Sequence, residues 1–69
     1  MEVEKFSVGD NCYFVDHYNK IKFCEIKEVY EDEKELAYLV QELSDYKFIT
    51  VPHIYCADSE AQLKGIKRK

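Results

Sequence analysis

The chain has 69 residues, of which 46% are hydrophobic and 35% are charged. This mixture is too apolar for a disordered chain, and its apolar stretches fall far short of the roughly 20 residues that a membrane span needs. We therefore expect one small domain over residues 1–69 that is not membrane-bound, with a modest core and no room for a deep catalytic cleft.

The net charge of −4 hides an uneven distribution. The first 63 residues carry 14 acidic and six basic side chains, whereas residues 64–69 carry four bases and no acid. An acidic body repels phosphate backbones, so nucleic-acid binding by the domain face is disfavoured. If nucleic acid is bound at all, the binding residues would be those of the basic tail, Lys64, Lys67, Arg68 and Lys69.

The N-terminal sequence and the number and spacing of the cysteines predict a cytoplasmic protein. The N-terminal "MEVEKFSV" has neither the basic nor the apolar region of an export signal. The three cysteines are odd in number and show no CxxC spacing, which argues against a disulfide framework and for reduced thiols.

The first half of the chain predicts two strands. Gly9 and Asp10 form a turn signal before a strand at residues 12–15, and a polar loop separates it from a long strand at residues 21–30. The apolar alternation of this second strand changes phase near Phe23 and Cys24, which predicts a β-bulge there.

The second half predicts two more strands around charged or polar turns. "EDEKE" reads as a solvated hairpin tip, "LAYLVQEL" as a third strand, "SDYK" as a turn and "FITV" as a fourth strand that Pro52 ends. The competing interpretation is a helix at about residues 25–43, because apolar residues there also follow a helical period. We favour strands, since Val29, Tyr30 and residues 38–40 are strand-forming types.

The segment "TVPHIYC" has two interpretations. His53 and Cys56, together with Cys12 and Cys24, make up a Cys3His set of the kind that structural zinc accepts. The spacing does not match the usual paired ligands, so we predict core thiols and neither a metal nor a cofactor. In this interpretation the segment is an elbow: His53 points to solvent, and Ile54 or Tyr55 returns to the core through one tight helical turn.

The end of the chain predicts a short helix. Ser59 and Gln62 have the spacing of a capping box, and Leu63 and Ile66 would give the helix one apolar edge for docking. The basic residues that follow agree with the helix dipole, which explains the basic tail without nucleic acid.

Several of these segments together resemble a group of small uncharacterised SH3-like proteins of Gram-positive bacteria and their mobile elements. The resemblance rests on "VGD" before the first strand, Tyr38-x-Val40, "TVPHIY" and "DSEA", and it covers nearly the whole chain. It implies a mainly β fold, a five-stranded antiparallel SH3-like barrel with a short C-terminal helix. "VGD" before a strand is shared by other small barrels, so the resemblance implies a fold more than a role.

No residue pattern predicts catalysis. Asp16 and His17 are adjacent and would be aimed apart, and phosphate-binding loops need more glycines than Gly9 and Gly65. We therefore expect a protein that is not an enzyme.

Ten aromatic residues are the feature most open to a functional meaning. We expect the four phenylalanines, Phe6, Phe14, Phe23 and Phe48, to fill the interior and the tyrosines to lie at the rim. Rim tyrosines beside acids would form a groove for basic or proline-containing peptides, with the candidate residues Tyr13, Asp16, Tyr18, Tyr30, Glu31, Tyr38 and Tyr55. The predicted function is a protein-interaction module, and the alternative is a nucleic-acid-associated barrel that uses the basic tail.

Overall fold

Five antiparallel strands form a single sheet in the computed structural model, which describes residues 5–67. The strands are β1 (Asn11–Val15), β2 (Ile21–Glu31), β3 (Leu36–Glu42), β4 (Phe48–Pro52) and β5 (Cys56–Ala57). Their order across the sheet is β4-β3-β2-β1-β5, so the first four strands follow one another and β5 returns to β1. The prediction of a mainly β fold with five antiparallel strands is confirmed, and the sheet is open, with β4 and β5 at its edges.

The segment 25–43 is a hairpin, and the alternative of a helix there is wrong. Val29 lies opposite Tyr38 in the β2–β3 pair, and the tip between the strands is closed by one side chain. The Asp32 carboxylate accepts the backbone N–H groups of Lys34 and Glu35, each at 2.8 Å. This is the local bonding by which aspartate favours turns over helices, so turn chemistry overrides the helical period.

The inner face of the sheet holds the main core. Its fully buried members come from β1 to β4 and are Cys12, Phe14, Cys24, Ile26, Tyr38, Val40 and Val51. A strand hairpin allows this burial because alternate residues of every strand face the same side. A helix over residues 25–43 would have taken Ile26, Tyr38 and Val40 out of this shared layer.

The phenylalanines do not fill the interior as predicted. Phe14 is fully buried and Phe6 packs against the edge of the core, but Phe23 and Phe48 are 42% and 58% exposed. Strand pairing explains this exposure. Phe23 lies opposite Tyr13, and Phe48 lies opposite Gln41, both on the outer face of the sheet. A tyrosine, Tyr38, is instead the largest fully buried side chain.

A second, smaller cluster covers the outer face of β1. Val15, Ala57 and Leu63 are buried there, and partly buried apolar residues surround them. Because the segment after β5 packs on this face, β1 and β2 carry apolar side chains on both faces of the sheet.

Burial on both faces explains the phase change that we interpreted as a bulge at Phe23 and Cys24. That position is wrong: Phe23 simply faces outward and Cys24 inward. The pairing with β3 shifts register between Ile26 and Glu28, where Lys27 is the additional residue.

The two turns after β4 are 3₁₀ helices of one turn each. The first 3₁₀ turn, His53–Tyr55, follows Pro52 as predicted, and it is Tyr55 rather than the exposed Ile54 that returns to the core. The second 3₁₀ turn, Glu60–Leu63, occupies the place of the expected C-terminal helix. Ser59 makes no side-chain capping bond to it, so the capping box does not form.

The backbone limits the second 3₁₀ turn. Gly65 has a φ of 88°, a left-handed conformation that glycine adopts readily and that breaks a right-handed helix.

Candidate functional site

A cleft of about 610 Å³ lies between the tip of the β2–β3 hairpin and the first 3₁₀ turn. We call it the acidic cleft. Leu36, Pro52 and Ile54 supply its apolar surface, and three carboxylates and one amine line it beside His53. The charged residues are Glu31, Asp32, Lys34 and Glu35.

Strand pairing brings these distant segments together. Ala37 at the start of β3 lies opposite Pro52 at the end of β4, so the hairpin tip before Ala37 faces the turn after Pro52. Tyr30 lies opposite Ala37 on the other side, which places its half-exposed ring on the same face as Pro52.

The charges of the acidic cleft are held in place. The backbone N–H groups of Lys34 and then Glu35 lower the pKa of Asp32 below its ordinary value of 3.8, so this carboxylate stays ionised near neutral pH. Glu31 forms an ion pair with Lys5 at 2.5 Å. The Glu31 charge is therefore balanced by Lys5, and Asp32 is the carboxylate that the backbone holds ionised at the hairpin tip.

His53 forms a hydrogen bond with the core residue Tyr38. The Tyr38 hydroxyl accepts the Phe6 N–H at 3.0 Å and lies 2.7 Å from His53 Nδ1. A hydroxyl offers one hydrogen and two lone pairs, so it can accept the Phe6 N–H and still form a hydrogen bond with His53 Nδ1 in either tautomer of the ring. Burial raises the pKa of Tyr38, so the hydroxyl remains a donor.

Two predictions are corrected by this contact. His53 does not simply point to solvent, since its ring is half-buried and bonded to Tyr38. Tyr38 is not at the rim but has no exposed surface at all. The reason is its inward position on β3, where the ring fills the core and the hydroxyl reaches the first 3₁₀ turn.

A second cleft, of about 540 Å³, lies on the other side of His53. Its lining includes Lys5, Phe6 and Asp58, and Cys56 brings a thiol to it. We call it the thiol cleft. His53 therefore lines both clefts.

The three cysteines meet beneath the thiol cleft. Cys12 and Cys24, which the sequence placed on opposite sides of a loop, lie directly opposite each other, with their Sγ atoms 3.5 Å apart. The Cys56 thiol donates a hydrogen bond to the Pro52 carbonyl oxygen at 3.7 Å, and Cys56 lies on β5, which pairs with β1. Over residues 5–67, no group of three or more His, Cys, Asp and Glu side chains has the arrangement of a metal site.

The hydrogen bond between Cys12 and Cys24 acts oppositely on the two thiols. Together with the Cys56 thiol, it lowers the pKa of Cys12, against the effect of burial. The same bond to Cys12, and then burial, raise the pKa of Cys24.

The residues predicted for a tyrosine groove fall in separate places. Asp16 and Tyr18 lie in the β1–β2 loop, where the Asp16 carboxylate accepts the N–H groups of Tyr18 and Lys20. Tyr30 and Glu31 lie at the opposite end of β2. The loop and the hairpin tip are therefore not brought together.

The other three predicted residues are partly or fully covered. Tyr13 packs on Phe23 with ring centroids 4.9 Å apart, Tyr55 contacts both apolar clusters, and Tyr38 is in the core. Of the tail residues named for nucleic acid, Lys64 and Lys67 are exposed, whereas Arg68 and Lys69 lie outside the described residues.

Sequence reasoning missed most of the acidic cleft. Asp32 and Glu35 were interpreted as a solvated charge run, and Ile54 as a candidate core residue. The turn "SDYK" is the sequence signal that could have identified the cleft. A hairpin centred on this turn places Pro52 beside the start of β3, and therefore beside the acidic hairpin tip.

The acidic cleft and the thiol cleft thus share His53 as a lining residue. Comparison with protein-family models, curated proteins and solved structures gave no match to this chain. Within residues 5–67, no helix is long and apolar enough to cross a membrane.

Proposed function

We propose that the protein is a non-enzymatic interaction module, built on an SH3-like barrel, that binds a basic peptide segment in the acidic cleft. The observation that carries this proposal is one cleft that combines exposed apolar side chains with three carboxylates. The SH3-like assignment is supported by the strand order β4-β3-β2-β1-β5 and by a 3₁₀ turn between β4 and β5.

Charge selects the class of peptide. With Glu31 paired to Lys5, Asp32 and Glu35 still outnumber Lys34 among the lining residues, and the body of the protein is acidic as well. Complementary charge raises the rate of encounter and excludes acidic partners. An arginine or lysine of the partner would lie beside the hairpin tip.

Apolar contact supplies the affinity. Ile54 is 70% exposed, and Leu36 and Pro52 line the same cleft, so the three form one surface rather than scattered apolar positions. A leucine or proline side chain of the peptide would pack here, and burial of such anchors provides most of the binding energy at interfaces.

The conformation of the turn that lines the acidic cleft is fixed before a ligand binds. Pro52 has a φ of −61°, and His53 next to it is bonded to the core residue Tyr38. A turn fixed in this way loses little conformational entropy when a peptide binds.

The test is a titration of isotope-labelled protein, followed by amide chemical shifts. The ligands are synthetic peptides with a central leucine or proline flanked by arginines, and the same peptides with glutamates are the charge-reversed control. We expect shift changes at residues 31–36, 53 and 54 with the basic peptides only.

Matched variants locate the site. Ile54→Ala should weaken binding about fivefold to thirtyfold, which is roughly 1 to 2 kcal/mol, and Glu35→Gln should weaken it in a salt-dependent way. Val8→Ala and Glu60→Gln remove equivalent exposed groups outside the cleft and should bind as the parent does. Tyr18→Ala, at the other end of β2, should also bind normally.

Two results would overturn the proposal. One is shift changes confined to residues outside the acidic cleft. The other is an absence of peptide binding together with DNA binding that falls steeply with salt and disappears when residues 64–69 are deleted, which would establish the nucleic-acid alternative.

A further inference from the structure

Pairing of three strands gathers all the cysteines of the chain into one three-thiol cluster, Cys12, Cys24 and Cys56. Cys12 lies opposite Cys24 in the β1–β2 pair. Cys56 lies opposite Phe14 in the β1–β5 pair, two positions along β1 from Cys12. Since residues two apart on a strand face the same side, Cys56 is a diagonal neighbour of Cys12 on the inner face.

The cluster leads from a surface cleft into the core. Cys56 is partly exposed and lines the thiol cleft, whereas Cys12 and Cys24 are 1% and 0% exposed. The Cys12 Sγ is 3.5 Å from that of Cys24, and Cys56 is the diagonal neighbour of Cys12 across the β1–β5 pair. A small reagent in the cleft would therefore meet Cys56 first and could act on the buried pair only through it.

We propose that the three-thiol cluster is an oxidation site, at which a hydroperoxide entering the thiol cleft converts two of the thiols into an intramolecular disulfide. The proposal is independent of peptide binding in the acidic cleft.

The first step consumes the oxidant at Cys56. With hydrogen peroxide, the Cys56 sulfur attacks one oxygen, the O–O bond breaks, and a sulfenic acid and one water form. The Cys12 sulfur then attacks the Cys56 sulfur, forming an S–S bond and releasing a second water. Diagonal neighbours lie roughly 7 to 8 Å apart, so the two-residue edge strand β5 shifts towards Cys12 as this bond forms. In sum, two thiols and one hydrogen peroxide give one disulfide and two waters, and two electrons pass from sulfur to oxygen.

The second step moves the disulfide inward without further oxidant. Cys24 attacks the Cys12 sulfur, the new S–S bond joins Cys12 to Cys24, and Cys56 leaves as a thiol. Directly opposite residues of antiparallel strands have Cα atoms about 4.5 to 5.5 Å apart, within the range of roughly 4.4 to 6.8 Å that a disulfide spans. The neighbouring thiols that lower the pKa of Cys12 favour it as the attacking thiol.

The test treats the reduced full-length chain with dilute hydrogen peroxide and reads the products by intact mass and by non-reducing tryptic mapping. Lys20, Lys22 and Lys47 allow trypsin to place the three cysteines on three different peptides, so each disulfide has its own linked pair. We expect loss of two hydrogens per chain, a Cys12–Cys24 linkage, and recovery of all thiols with dithiothreitol.

Two variants assign the order. Cys56→Ser should slow formation of the Cys12–Cys24 disulfide roughly tenfold or more, because the two remaining thiols are buried. Cys24→Ala should accumulate the Cys12–Cys56 disulfide. The parent chain provides the same information through early sampling, which keeps the test valid if Cys24→Ala fails to fold.

Three results would overturn the proposal: thiols that stay reduced, over-oxidation of Cys56 to sulfinic acid with no linkage, or disulfides formed only between two chains. An unchanged oxidation rate in Cys56→Ser would likewise remove Cys56 as the point of entry.

Discussion

The Tyr38 hydroxyl joins the start of the described chain to the first 3₁₀ turn. It accepts a hydrogen bond from the backbone of Phe6 and bonds His53, while the ring packs in the core. One side chain thus fixes the wall between the two clefts, so the shape of both depends on it.

Tyr38→Phe should destabilise the protein by about 1 to 2 kcal/mol. The substitution keeps the ring but leaves the Phe6 N–H and His53 Nδ1 without their partner, and unpaired polar groups of this kind cost free energy. Urea unfolding measures the change, with Tyr18→Phe as the control, since Tyr18 is 82% exposed. Equal stability of Tyr38→Phe and the parent would show that the hydroxyl is dispensable.

At the scale of elements, the C-terminal segment acts as a cover for β1. Leu63, from the second 3₁₀ turn, is 2% exposed and lies in one cluster with Val15 and Ala57. The second 3₁₀ turn has only four residues, so its stability comes from this contact and not from helix propensity.

Leu63→Ala should therefore lower the free energy of unfolding by about 2 to 3 kcal/mol, the usual cost of a buried leucine. Lys64→Ala, at the exposed next position, should change it by less than roughly 0.5 kcal/mol. Both are measured by chemical denaturation at the same pH. A Leu63→Ala variant as stable as Lys64→Ala would mean that the cover does not support the sheet.

The sequence predicts where the strands begin and end better than it predicts which face of each strand is buried. Alternation and turn residues located the first four strands, because Pro52 and the charged tip are local signals. Which side of a strand is covered is not local: Phe23 and Cys24 could be assigned only once the segment around Leu63 was seen to lie on β1. The same holds for the candidate site, where Glu31 was identified but Ile54 depended on the β3–β4 register.

At the scale of the whole molecule, the core thiols Cys12 and Cys24 contact each other and the apolar side chains around them. We expect EDTA to leave the melting temperature unchanged and the purified protein to contain no stoichiometric zinc. The reason is that Cys12 and Cys24 are hydrogen-bonded to each other inside an apolar cluster, so folding needs no ion to bring them together. A fall in melting temperature on chelation would reverse this interpretation and return the Cys3His set to consideration.

The sheet order also sets the sequence in which the protein can assemble. The pairs β1–β2, β2–β3 and β3–β4 each join neighbours along the chain, whereas Tyr13 and Ala57, which pair β1 with β5, are 44 residues apart. Closing so long a loop costs more entropy than closing a hairpin, and it is offset by two residue pairs and by the cluster of Val15, Ala57 and Leu63. The four-strand meander therefore forms first and β5 docks last. Because β5 is also the cheapest part to release, transient local opening would undock Cys56 from Cys12 while the rest of the sheet stays folded.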